Sequence, residues 1–214
     1  FSSIGKSSYE AAYVTKHCAH ACHSMYEHKQ QSHHWLDLAS KHLASSRSIF
    51  NDCVDVQHPQ FGSQLYAEGL NWYYRGNFEE ALVCAQASYD IYYSLYGEIN
   101  SDTNAPMRTL ARIYSKQGRL DAALDIQNRV IAARKELWGA DQFNYFSQFE
   151  TLADIYFENG QIQDGIQTLE YLVGILSNTA KDFSWYNCKI EEKLQHGETL
   201  IGSHIFIGAL PLTE

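Results

Sequence analysis

The sequence predicts an all-α fold, an α-solenoid of antiparallel helical hairpins, on three observations. One hairpin-turn motif recurs three times at a fixed interval; the 214 residues include only 3 prolines; and 45% of them are apolar, enough to bury a continuous core. Few prolines and well-spaced glycines suit long helices and leave little room for the regular turns of a β-sandwich.

The motif reads Gly76-Asn-Phe-Glu-Glu-Ala81-Leu82, then Gly118-Arg-Leu-Asp-Ala-Ala123-Leu124, then Gly160-Gln-Ile-Gln-Asp-Gly165-Ile166, with the glycines 42 residues apart both times. Upstream, a small residue and then an aromatic recur as Gly69/Trp72, Ala111/Tyr114 and Ala153/Tyr156. Downstream, Leu95-Tyr96-Gly97 is matched by Leu137-Trp138-Gly139. Each position has a physical reason. The glycine after the first helix supplies the left-handed φ of a C-cap, and the small residue upstream lets two helices approach closely. Ala81, Ala123 and Gly165 do the same from the second helix, where a large side chain pushes the hairpin open. These constraints predict a positive φ at Gly118 and a buried Ala123.

This pattern of small residue, aromatic, glycine and alanine resembles the tetratricopeptide repeat, and the 42-residue period is similar to its longer, kinesin-light-chain-type form. The resemblance covers about residues 55–176 and implies a superhelix of helical hairpins. In that form the linker between hairpins often reads Gly-x-Asp-His-Pro. Here His58-Pro59 stands at the matching place with Asp55 where the glycine belongs, and Gly139-Ala140-Asp141 precedes the third hairpin. Three repeats are expected, at about 59–97, 105–139 and 146–178.

Residues 1–54 are expected to form a degenerate N-terminal hairpin or cap, because Trp35, Leu36, Ala39 and Ile49 align with Asn77, Phe78, Ala81 and Ile91, giving a hairpin over about 15–54. Gln30 and His34 replace the aromatic and the glycine there. Residues 179–214 are expected to contain a capping helix, about Lys181 to Leu200, and an apolar docking tail, Ile201 to Leu212. Terminal repeats of such stacks are commonly atypical because they must end the stack with a more polar face.

Composition narrows the function classes. The net charge is −9, with five Lys/Arg against five Asp/Glu in residues 1–60 and eleven against twenty afterwards. No basic face for nucleic acid is implied. The run Ile201 to Leu212 is far short of the roughly 20 apolar residues of a membrane span. Five cysteines fit no secreted disulfide framework, so a reducing, cytoplasmic setting is expected. The opening FSSIGKSSYE lacks a basic and then apolar leader, and a start at Phe1 suggests a piece of a longer chain.

The start is rich in His and Cys. Cys18 and Cys22, an i, i+4 pair, could ligate zinc with His34 as a third ligand, but the CxxC knuckle of a structural site is absent. The expectation is two small buried cysteines, a polar histidine face, and no metal or cofactor. No nucleophile elbow, HExxH, P-loop or GxGxxG occurs, so no catalysis is expected.

The resemblance implies a concave groove lined by the first helix of each hairpin. The matching residues are Ser63, Tyr66, Leu70, Tyr73 and Tyr74; then Ala105, Arg108, Arg112, Ser115 and Lys116; then Ser147, Glu150, Asp154, Phe157 and Glu158. They read as an aromatic, a basic and an acidic strip. The cations at 108, 112 and 116 share one helical face. Either the charged strips pair with each other, Arg108 with Glu150 and Arg112 with Asp154, or the cations hold acidic groups of a peptide beside an aromatic shelf. Tyr66, Leu70, Tyr73, Tyr74, Arg108, Arg112, Lys116, Asp154 and Phe157 are the candidate partner residues. The family's Lys/Asn carboxylate clamp is not present, which disfavours an EEVD-type ligand. The function expected is a non-catalytic adaptor or scaffold binding a peptide or protein segment. The alternatives are a structural subunit of a large assembly, or the helical C-terminal region of a multidomain enzyme.

Overall fold

A computed structural model describes residues 3–28, 33–53, 57–140, 142–179, 183, 186, 188–195 and 197. Among them every regular element is helical: α1 (Ser3–His28), α2 (His33–Cys53), α3 (Pro59–Tyr74), α4 (Phe78–Tyr96), α5 (Ser101–Lys116), α6 (Leu120–Trp138), α7 (Phe143–Glu158) and α8 (Ile162–Ser177), followed by a C-terminal helical segment at residues 188–195. The chain divides into two compact units, residues 1–113 and 114–214, with the boundary inside α5.

The hairpin turn is built the same way each time. Gly76, Gly118 and Gly160 have φ of 78°, 71° and 77°. In each case the residue after the glycine donates its N–H to the carbonyl of the recurring aromatic: Asn77 to Trp72 at 3.0 Å, Arg119 to Tyr114 at 2.9 Å, and Gln161 to Tyr156 at 2.9 Å. The glycine itself donates three residues back, Gly118 N to Ser115 O at 2.9 Å. This is a Schellman closure, which needs a left-handed residue to turn the chain and satisfies the orphan carbonyls of the helix end.

In the first unit, Gly69 lets α3 approach α4 so closely that a Cβ there would lie 3.3 Å from Ala85 N and 3.4 Å from Ala81 O. Gly62 is a second close approach, with Ile91 Cγ2 at 3.2 Å from an added Cβ and Ser88 Oγ donating to Gly62 O at 2.7 Å. Ala19 and Cys22 of α1 pack with Ala39 and Leu43 of α2 and Ala67 of α3. Helix α1 starts at Ser3, well before residue 15, where the sequence placed the first hairpin; no proline precedes Pro59 to stop a helix earlier. The connection at residues 29–32, including Gln30, lies outside the described residues. His58 caps α3, its Nδ1 accepting from Gln60 N at 3.1 Å, with Pro59 at the first helical position. Asp55 lies outside the described residues. Asn100 starts α5, its side chain accepting from Asp102 N at 2.8 Å, so the helix begins ahead of residue 105.

The second unit centres on an aromatic core. Tyr145, Phe146 and Phe149 of α7 meet Leu169 and Leu172 of α8, and Tyr186 and Ile190 close over them. Tyr186 is 1% exposed, so the C-terminal segment is part of the core. Helix is seen at residues 188–195 of the expected 181–200; residues 181, 182 and 198–200 and the apolar stretch 201–214 lie outside the described residues.

Gly118→Val puts a β-branched residue at φ 71° and is expected to cost about 1–3 kcal/mol, read as a lower denaturation midpoint at unchanged m-value. Ala123 is fully buried, so Ala123→Leu is expected to overpack the second unit by about 1–3 kcal/mol, whereas Ala123→Gly should cost less than about 1 kcal/mol. An unchanged midpoint for the leucine variant would contradict the packing argument.

Candidate functional site

The candidate residues sit on the odd-numbered helices, and their chemistry is set by what the neighbouring odd-numbered helix presents to them. In the first unit α1 turns one stripe, Lys16, His20, His23 and Glu27, toward α3. The spacing i, i+4, i+7, i+11 keeps all four on one helical face. Lys16 Nζ donates to Gln60 Oε1 at 2.7 Å and to Ser63 Oγ at 2.9 Å. The His20 ring lies 6.0 Å from that of Tyr66, and the His23 ring 5.7 Å from that of Tyr74. His23 Nε2 meets Asn71 Oδ1 at 3.4 Å, and the Tyr74 hydroxyl donates to Glu27. Tyr26 stacks obliquely on Tyr74 at 5.2 Å.

Electrostatics follow from this packing. Burial pushes Lys16 down to about 8, with Asp102 opposing in part. Burial, then the positive fields of His23, Lys16 and His17, holds His20 down at about 4. Burial likewise lowers His23, partly offset by Asn71 and Glu27. Burial and the Glu27 carboxylate raise the Tyr74 phenol far above its ordinary value. The histidine face, expected to be polar, is partly internal, with His23 3% exposed. Cys22 is buried as expected and Cys18 is half-buried; both are free thiols. No group of three or more His, Cys, Asp or Glu converges for a metal among the described residues.

Arg112 of α5 lies over the Tyr73 ring with its guanidinium carbon 4.5 Å from the centroid. A stacked guanidinium keeps its planar face on the ring and its edge for hydrogen bonds. Tyr73 and Leu70 are each only 8% exposed, which corrects the expectation that both lie open on a groove. Tyr73 is held between Arg112 and Phe78, whose ring is 5.8 Å away, and supports the guanidinium from beneath. Tyr66, Tyr74, Arg108 and Arg112 are half-buried and keep part of their surface in solvent.

In the second unit the acidic strip is occupied by the chain's own C-terminal segment. Glu150 pairs with Lys189 at 2.7 Å and Lys193 at 2.8 Å, and accepts from the Tyr186 hydroxyl at 3.0 Å. Asp154 takes Lys193 at 2.8 Å. Burial alone would raise Glu150, and the two ammonium groups overcome it and hold the carboxyl below its ordinary value. Within the second unit Glu150 and Asp154 thus draw cations from Lys189 and Lys193, because the C-terminal segment packs beside α7. Lys116 pairs with Glu158 at 2.7 Å, beside Ser115, which donates to Glu158 at 2.6 Å. Phe157 is half-buried against the aromatic core and abuts Gly165 and Gly197.

The sequence reading missed His20, His23 and Glu27 as partners of Tyr66 and Tyr74, and Lys16 as the partner of Ser63. Their single-face spacing was the available signal. Lys189 and Lys193 were missed because the terminal segment carries no repeat pattern to place it.

The tetratricopeptide-repeat family model matches residues 65–136. No curated protein sequence matches the chain. Among solved structures, the chain is similar to a Podosopora anserina protein described as kinesin light chain with nearly identical TPR-like repeats, at 19% identity and TM-score 0.68, covering 86% of each chain. A single-substitution variant of that protein gives TM-score 0.67 at 19% identity, over 86% of this chain and 85% of that one. BtubC (BKLC) of P. vanneervenii gives 0.57 at 12% identity, over 96% and 94%. Residues 65–136 are thus a tetratricopeptide-repeat segment, and the chain has the all-α fold of kinesin-light-chain-like tetratricopeptide-repeat proteins.

Proposed function

We propose that this chain is a non-catalytic adaptor or scaffold that binds a protein or peptide segment on the face of the first unit carrying Tyr66, Tyr74, Arg108 and Arg112. Proteins of this fold generally act through protein–protein contacts. One observation supports the placement: half-exposed tyrosines and arginines share a unit in which Tyr73 stacks under Arg112. A preorganised guanidinium loses little freedom on binding, and Tyr and Arg are the types most often found as binding anchors. Acidic groups on the partner fit the cations. Leu70 and Tyr73 act as the floor. In the second unit, Lys116, Asp154 and Phe157 are already engaged by Glu158, Lys193 and the aromatic core, so they rank below the first unit's residues.

A structural-subunit reading draws on a different observation. Helix α4 exposes Val83 near its start and Tyr93 and Tyr96 near its end, and Ile99 follows it, at 70%, 49%, 44% and 47%. Exposed large apolar side chains of this kind are candidates for a contact surface. Free thiols at Cys18, Cys22, Cys84 and Cys188 fit a reducing, cytoplasmic setting, and no helix among the described residues is long and apolar enough to cross a membrane.

A photocrosslinking residue at position 66, compared with one at position 83, identifies the partner and its face in one experiment. Tyr66→Ala with Arg108→Ala is then expected to weaken that partner by about 2 kcal/mol or more, roughly 30-fold, at unchanged helicity, with any loss of melting temperature limited to the contact of Tyr66 with His20. Crosslinking from position 83 alone, with full affinity in the double variant, would transfer the function to the surface of α4 around Val83.

A further inference from the structure

We propose that the α1–α2 hairpin is an acid-released cap: protonation of His20 and His23 unlatches α1 from α3 and uncovers the side of α3 that carries Tyr66, Asn71 and Tyr74. The binding reading above is not needed for this inference, although release would reshape the face that reading uses.

Hydrogen-bond direction fixes the protonation state of the latch. Ser40 Oγ donates its one proton to Leu36 O at 3.0 Å. Ser40 must therefore accept from Asn71 Nδ2, 2.8 Å away, and also receives Arg75 at 3.2 Å. Asn71 consequently turns Oδ1 toward His23, whose Nε2 must carry the proton it donates there. That leaves Nδ1 bare, and it has no hydrogen-bond partner among the described residues. A second proton on His23 would thus sit on a buried nitrogen that faces no acceptor, an arrangement that penalises the docked state rather than the released one. The imidazole is a latch that holds only while neutral.

The surroundings make the second proton worse. On α1 itself, Lys16 and His17 lie on one side of His20 and His23 on the other, so acid loads a single stripe with positive charge. Helix α3 faces the two imidazoles with Tyr66 and Tyr74, which bring no negative charge. Helix α5 contributes Arg112 beside Tyr74, and Asp102, whose field reaches Lys16. From α2 the cluster receives Ser40, while Asp37 is spent on Arg75 at 2.6 Å. The Glu27 carboxylate favours a charged His23, but it already accepts the Tyr74 hydroxyl, and its effect is smaller than that of burial.

The sign follows. Both histidines titrate below 6.5 when docked, so the cap's full stability is present above about pH 6.5 and is lost as pH falls toward 4, the docked value of His20. At pH 5.5, His20 alone favours release by about tenfold. Lys16 stays mostly charged through this window and does not contribute to the change.

Hydrogen–deuterium exchange on the full chain at pH 7.4 and 5.5, corrected for intrinsic exchange, reads the opening of α1. The expected result is at least ~10-fold more opening of α1 amides at pH 5.5, with α3 and α4 still protected. His20→Phe with His23→Gln keeps a ring on Tyr66 and a donor for Asn71 but cannot charge, and should hold the change below ~3-fold. His33→Gln with His34→Gln, on α2, should leave the acid effect intact. Equal α1 opening at both pH values in the wild type would overturn the proposal, as would an acid response in the first variant matching the wild type. If that variant already exchanges freely at pH 7.4, His23→Gln alone decides by the same criterion. The readout involves no partner, so its failure is separate from failure of the binding reading.

Discussion

A backbone hydrogen bond across a left-handed glycine is the constraint on which this structure depends. At Gly118 the chain turns with φ 71°, and Arg119 N closes on Tyr114 O at 2.9 Å. That bond does two jobs: it satisfies a helix-end carbonyl that would otherwise be orphaned, and it sets where the next helix starts. Once the reversal is fixed, positions upstream and downstream of the turn are forced to be small. Gly69 shows the tolerance, with backbone atoms of α4 3.3 and 3.4 Å from where a Cβ would sit. A hairpin of this kind carries its own register, so repeating the turn repeats the geometry.

Between hairpins, contacts of another kind are added to apolar ones such as the cluster of Ala67 with Ala19, Cys22, Ala39 and Leu43. The contacts within the hairpins are largely small and apolar, whereas Lys16, His20, His23, Arg112, Glu150 and Asp154 meet their partners through hydrogen bonds, stacked rings and ion pairs. Such contacts hold only in the right protonation state and only while every member is paired. Apolar packing makes each hairpin permanent, and polar matching makes its attachment conditional. This division also explains why charged strips that look available for a partner are partly spent inside the chain. The lysines of residues 188–195 neutralise α7, and Tyr73 is committed to Arg112.

The hairpins were legible because their cause is local. Glycine conformational freedom, a small residue facing a helix, and the interval of 42 residues can all be read without knowing what lies across space. Gly62 escaped notice because its role comes from Ile91 and Ser88 on the neighbouring helix and not from any turn. The candidate site was legible as a set of positions and not as a set of available groups. Tyr66 and Arg108 keep solvent-facing surface, while Leu70 and Tyr73 do not, and all four occupy groove positions of the same family pattern.

By itself, then, the amino-acid sequence determined the all-α class, the position of each turn glycine and the burial of Ala123, since these follow from backbone sterics and short-range periodicity. Only the tertiary structure decided which charges pair and which imidazoles lose their water. Lys193 reaches Asp154 across 39 positions and His23 reaches Asn71 across 48. Desolvation and Coulomb energy depend on what surrounds a group in space, and the linear spacing of these residues carries no record of it.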